Sequence, residues 1–207
     1  MATKSARRTK SPKALEKEVD RLERDVYRAK ERLDKARHRL PEVEIPDYVL
    51  RGSDGKALTL SKAFGGKPAL VVVFNMGVRC PMCTTWADGF SGVAHHLEDR
   101  AALLVVSPDA VKVQRPFAKK RGWRFAMAST AGSTFYKDTG FESDDGRPWP
   151  GVATFYREAD GRIFRVAKTA FGPGDDFSPV YGVLPLLREG QNGWWPKFTY
   201  GRRARAK

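Results

Sequence analysis

Two cysteines, Cys80 and Cys83, are the only ones in the 207 residues, and they stand as Cys-Pro-Met-Cys. An apolar run ending at Phe74 and a short turn, Asn75–Arg79, precede them; a helical pattern follows from Thr84. That layout puts two thiols at the mouth of a helix, at the end of a buried strand, where reversible thiol–disulfide chemistry is carried out. The first N–H groups of a helix lack intrahelical partners and carry about half a positive charge. A thiolate placed there is stabilised, and its pKa falls below the free value of about 8.5. Arg79 precedes Cys80 and adds a further positive charge. Cys83 lies one turn deeper, partly shielded. Cys80 is therefore expected to attack a disulfide or peroxide, and Cys83 to resolve the product into a Cys80–Cys83 disulfide. Pro81 and Met82 fill the loop, with Pro81 rigidifying it.

Other readings of the pair compete. A zinc site needs four ligands, and no second Cys-x-x-Cys exists. His95 and His96 are adjacent on a helix, point about 100° apart, and lie about 20 Å along it from Cys80; they read as surface residues. No metal site and no cofactor is expected. A structural disulfide closing so short a loop would constrain little chain. Two inert, buried thiols are the remaining alternative. Trp86, three positions after Cys83, either lines the site or fills the core. Asp88 reads as a proton-transfer candidate or as a solvated carboxylate. Trp123 reads as core, and Trp194-Trp195 either packs under the domain or forms an interface.

The elements that must position the thiols follow from hydrophobic patterning. Ala69–Phe74 has no polar residue and reads as a strand covered on both faces. Thr84–Arg100 reads as a helix, Ala101–Val106 as a second buried strand, Val111–Arg121 as an amphipathic helix and Trp123–Ala128 as a third strand. After the polar loop Glu142–Pro150, Gly151–Arg157 and Arg162–Ala167 form a hairpin, and Phe177–Leu187 has the length of a last helix, interrupted by Pro179 and Pro185. Upstream, Val43–Leu50 reads as one extended stretch and Leu58–Phe64 as a strand with a helical turn. The order β–α–β–α–β, β–β, α describes an α/β protein with a central mixed sheet and helices on both faces. It is the order of a thioredoxin-like fold. In that fold the strand after the long loop begins with a cis proline facing the thiols; Pro150 is the candidate, with Trp149 beside it and Pro148 as the fallback.

The remaining chain is appended to this domain. Residues 1–10 are basic and read as disordered. Ser11-Pro12 reads as a helix start. From there Leu15, Val19, Leu22, Val26, Ala29, Leu33, Ala36 and Leu40 recur at alternating spacings of four and three, a heptad seam about 40 Å long. Asp20–Arg24 and Glu31–Lys35 sit four apart and support it. Pro41 ends the helix. The domain organisation is a disordered terminus (1–10), a helical arm (11–40), a thioredoxin-like domain (41–200) and a basic disordered tail (201–207). So charged a helix must bury its seam on its own domain or on a second copy; Val and Leu at the seam favour a parallel homodimer, although Ala29 and Ala36 weaken its second half. Of the net charge of +14, residues 1–40 carry +7 and the tail +4, leaving +3 for the body. The basic ends could hold nucleic acid weakly and without sequence preference. No apolar segment is long enough to span a membrane, no secretory pattern opens the chain, and a cytoplasmic location is expected.

Five stretches, ARHRLPEVEIPDYVL, CPMCTTWADGFSGVAHHLEDR, LLVVSPD, FAKKRGWRFAMAST and PWPGVATFYR, resemble the bacterial thioredoxin-like, peroxiredoxin-related family eight-nine-nine of the domains of unknown function. Together they fall between Ala36 and Arg157. The resemblance implies a thioredoxin fold with Cys80 and Cys83 as the redox pair, and it implies no substrate. A peroxiredoxin proper carries Pro-x-x-x-Thr/Ser-x-x-Cys; with Cys80 at the last position, the stretch Phe74–Cys80 lacks the proline and the hydroxyl, which argues against efficient peroxide reduction. Three functions follow as expectations: a dithiol–disulfide oxidoreductase acting on a protein or small-molecule disulfide, a peroxiredoxin-like peroxidase, or a non-enzymatic scaffold whose coiled-coil arm binds partners.

Overall fold

A computed structural model describes residues 10–201. The disorder expected for residues 1–9 and 202–207 lies outside the described residues. The chain divides into two compact units between Pro41 and Glu42. The first is one helix, α1 (Pro12–Arg37), opened by Ser11, whose Oγ accepts from the Ala14 amide at 3.3 Å. Arg21–Asp25 (2.9 Å) and Asp34–Arg37 (3.2 Å) are ion pairs along it. Leu15, Val19, Leu22 and Val26 are about half exposed, and no residue of α1 is buried. The helix stops three residues before the expected Leu40. The Arg39 and Leu40 amides reach back three residues, to Ala36 and Arg37, so the chain before Pro41 leaves the helix in a tightened turn.

The second unit holds an eight-stranded mixed sheet. In chain order its strands are β1 (Val43–Ile45), β2 (Val49–Gly52), β3 (Ala57–Thr59), β4 (Ala69–Phe74), β5 (Ala102–Ser107), β6 (Ala126–Ser129), β7 (Gly151–Arg157) and β8 (Ile163–Ala170), arranged β1-β8-β7-β4-β5-β6-β2-β3. β4, β5 and β6 run parallel, and every other pairing is antiparallel. The helices are α2 (Leu60–Ala63), α3 (Pro81–Arg100), α4 (Val111–Arg121), α5 (Phe135–Asp138) and α6 (Pro179–Val183).

Side chains alternate across the strands and build two cores. Leu70, Val72 and Phe74 of β4, with Leu104, Val106, Ala128, Ala153 and Phe155, pack with Leu60 of α2 and Phe135 of α5. Val73, Leu103, Val105 and Met127 face the other way, onto Cys83, Trp86, Ala87, Phe90 and Ala94 of α3 and Tyr181 of α6. Helices therefore cover both faces, and the thioredoxin-like architecture read from the element order is the one observed.

Three expectations are corrected. The stretch Val43–Leu50 is two strands, on opposite flanks of the sheet, because Pro46 removes an amide and the chain turns there, with the Tyr48 amide bonding Pro46 O at 3.0 Å. The third strand begins at Ala126 instead of Trp123: the Trp123 amide closes α4 by bonding Ala118 O at 3.1 Å, after Gly122 has turned left-handed at φ 71°. No peptide bond is cis among the described residues, so Pro150 is trans. The Trp149 amide bonds Phe141 O at 2.6 Å, and Pro150 O accepts from Phe171 at 3.0 Å; these bonds carry Trp149 and Pro150 straight into β7. Phe177–Leu187 forms the five-residue α6 and a 3-10 turn at Leu184–Leu186, shortened by its prolines.

Candidate active site

The site is built where β4 ends. Gly151, the first residue of β7, pairs with Phe74 on one side, and Val106 of β5 pairs with it on the other. The turn Asn75–Arg79 leaves that central position and is held by four contacts. Asn75, buried, accepts from the Gly77 amide at 2.8 Å through Oδ1 and donates Nδ2 to Cys83 O at 3.3 Å. The Val78 amide donates to Asp109 Oδ2 at 2.7 Å. Tyr136 Oη lies 2.8 Å from Asn75 O and 3.0 Å from Val106 O. Gly77 adopts φ +114°, and a Cβ there would come 2.6 Å from Asp109 Oδ2, so only glycine fits.

Cys80 is the N-cap of α3. Its Sγ accepts from the Cys83 amide at 3.1 Å, as a serine Oγ would at an ordinary helix start. Pro81 occupies the first helical position, where no amide is needed, so Pro81 and Met82 belong to α3 and not to a loop, and the helix begins three residues before the expected Thr84. Cys80 is half-buried and Cys83 is buried, and both are free thiols. The Cys80 pKa is lowered to about 7, chiefly because the Cys83 thiol hydrogen-bonds the Cys80 sulfur; burial opposes this, and the Cys83 and Met82 backbone adds to it. Cys83 is pushed strongly upward by the same hydrogen bond and by burial. The helix start therefore contributes as expected, but the larger influence is the partner thiol. Arg79 points its side chain to solvent. Pro81 and Met82 are partly buried, and Met82 packs at the rim of the second core.

Trp86 resolves as core. It is 2 % exposed, lies 5.1 Å from the Phe171 ring, and donates its indole N–H to Asp175 Oδ1 at 3.2 Å. Trp149 is 54 % exposed. Asp88 is no free carboxylate: it pairs with Arg121 and accepts from the Trp123 indole at 2.8 Å. Trp194 packs on Tyr181 at 6.3 Å, while Trp195 is exposed. Sequence reasoning passed over Asn75, Asp109, Tyr136, Asp175 and Tyr181. Gly77 beside a cysteine-bearing turn could have signalled the tight approach; the others come from distant segments with no local motif.

The family model described as bacterial protein of unknown function (DUF899) matches residues 4–203. The chain belongs to the DUF899 family. This DUF899 protein is also 32 % identical over 143 residues to peroxiredoxin Q of Populus jackii, covering 69 % of this chain and 66 % of that relative. It is 30 % identical to peroxiredoxin Q of Oryza sativa subsp. japonica, covering 69 % and 65 %. The DUF899 chain thus spans just under two thirds of the length of these curated relatives. Among solved structures, peroxidoxin BcpB of Mycobacterium tuberculosis is similar with a TM-score of 0.52 at 22 % identity, over 62 % of this chain and 84 % of that one. A mutant of Xylella fastidiosa PrxQ has a TM-score of 0.53 at 21 % identity, over 70 % and 92 %. These likenesses give the fold: this DUF899 domain has the thioredoxin-like architecture of the peroxiredoxins. No helix among the described residues is long and apolar enough to cross a membrane.

Proposed function

We propose that the protein is a dithiol–disulfide oxidoreductase, with Cys80 attacking and Cys83 resolving on a protein or small-molecule disulfide. The observation that carries this reading is the capping bond: the sulfur of Cys80 takes the place of a helix-capping oxygen, so its negative charge is stabilised by the fold before any substrate arrives. Cys83, buried and high in pKa, stays protonated and silent until Cys80 has reacted. Pro81 and Met82 shape the entrance, with the exposed Arg79 just before it. We place this chemistry in a reducing cytoplasm, where a two-residue-spaced thiol pair cycles instead of remaining a staple.

A titration in defined thiol–disulfide buffers, followed by mass-labelled alkylation, tests the reading. Cys80 and Cys83 should be protected together as one disulfide, and reduction of insulin should vanish in Cys80→Ser. Full activity in that variant overturns the assignment. A second reading, a thiol peroxidase, is favoured by the peroxiredoxin Q relatives. Peroxide consumption with a recycling reductant, and dimedone trapping of a Cys80 sulfenic acid, separate it from the first.

The half-exposed seam of α1 supports a homodimer through that helix, and the charge of the two ends supports weak, salt-sensitive contact with nucleic acid.

A further inference from the structure

Tyr181 is 5 % exposed, and its hydroxyl is fully covered with no hydrogen-bond partner. Buried polar atoms in native proteins are almost always paired, and the exceptions call for a chemical reason. Phenylalanine would supply the same packing without the desolvation cost. The only other such atom among the described residues, Gln114 Oε1, belongs to an amide whose nitrogen already serves Ser107 and Ala128.

The surroundings of Tyr181 supply the reason. It shares one apolar cluster with Cys83, and Cys80 and Met82 pack at the edge of that cluster. Its ring lies 6.2 Å from Trp86, one turn beyond Cys83 on α3. Burial, then Asp175, Cys80, Tyr200 and Cys83, push its pKa up, so the hydroxyl stays protonated and keeps a proton to donate. In the reduced protein no acceptor, the Cys83 sulfur included, lies within hydrogen-bond reach of the hydroxyl. The charge resides on Cys80, which already accepts from the Cys83 amide. That changes in the second half of the reaction proposed above, when Cys83 must become a thiolate inside an apolar cluster.

We propose that Tyr181 is a catalytic residue of the resolving step, donating a hydrogen bond from its hydroxyl to the sulfur of Cys83 as that sulfur becomes a thiolate. The inference rests on the dithiol reading. In the step, Cys83 gives up its proton and its sulfur attacks Cys80 Sγ in the mixed disulfide. The Cys80–Cys83 bond forms, the bond from Cys80 to the substrate sulfur breaks, and the electron pair leaves with the substrate thiolate, which takes up a proton. In the reverse direction Cys83 is the leaving group, and the same donor receives it.

The test is stopped-flow release of thionitrobenzoate from Ellman's reagent by the full-length reduced protein. The first equivalent reports attack by Cys80 and the second reports resolution by Cys83. Tyr181→Phe should leave the first phase unchanged and slow the second about tenfold. Incorporating 3-fluorotyrosine at position 181, which acidifies the hydroxyl and preserves the ring, should speed the second phase; it also keeps the test open if Tyr181→Phe folds poorly. Two unchanged phases in Tyr181→Phe, or an equal fall in both, overturn the role in resolution. A wild-type protein that releases one equivalent and forms no Cys80–Cys83 disulfide overturns the dithiol reading itself, and this inference with it.

Discussion

The amide of Cys83 donates to the sulfur of Cys80 across 3.1 Å, so the second cysteine of the pair helps to cap the helix that it belongs to. Its thiol supplies the larger part of the stabilisation, and the Cys80 pKa is lowered to about 7. Below that pH Cys80 is a protonated, poor nucleophile; above it the thiolate predominates. Alkylation of Cys80 by iodoacetamide should therefore rise with pH through a midpoint near 7 and then level off. Cys83→Ala keeps the backbone donor and removes the thiol, so the midpoint should move up toward the free value of about 8.5 and the rate at pH 6 should fall several-fold. Mass spectrometry of the labelled peptide at each pH measures this.

Gly77→Ala should destabilise the protein by about 1–3 kcal/mol, since a β-carbon at φ +114° is strained and also meets Asp109. Combining it with Asp109→Gly relieves the collision but not the strain, and removes the acceptor for the Val78 amide. The double variant should therefore fail to recover wild-type stability in a urea titration.

Asp175 is a knot in the chain after β8. It accepts from the Trp86 indole at 3.2 Å, the Phe177 amide at 2.8 Å and the Gly172 amide at 2.9 Å. Asp175→Ala leaves three donors short of a partner and should cost about 1–3 kcal/mol. A lower urea midpoint at unchanged slope is the expected result, with a change in tryptophan emission as Trp86 loses its bond.

Removing residues 1–41 deletes one compact unit and leaves the other whole. If α1 pairs two copies, sedimentation should show a dimer for the full chain and a monomer for the truncated one, with the reactivity of Cys80 unchanged. A Leu22→Glu substitution on the half-exposed seam should weaken the dimer in the intact chain.

Much of the positioning was legible in the sequence because it is local. The apolar run Ala69–Phe74 marks a two-sided strand, and Ser11-Pro12 marks a helix start by residue type alone. The parts that escaped are tertiary. Trp123 looks like the start of a strand until its amide is seen to close α4 and its indole to reach Asp88. Trp149 and Pro150 are held by bonds to Phe141 and Phe171, neither of them a neighbour in sequence. Tyr181 carries no motif; what singles it out is a hydroxyl without a partner, a property that exists only after folding.

Ile45 and Val49 belong to strands with five others between them in the sheet. Laid flat, the two would stand about 29 Å apart, yet four residues reach at most about 14 Å. The sheet is therefore a trough, its flanks drawn together across the packed rings of Phe74, Phe135 and Phe155 by the short tie at Pro46–Tyr48. Cutting that tie would let the flanks spread, while the cysteine pair, on the convex side, would keep its own packing.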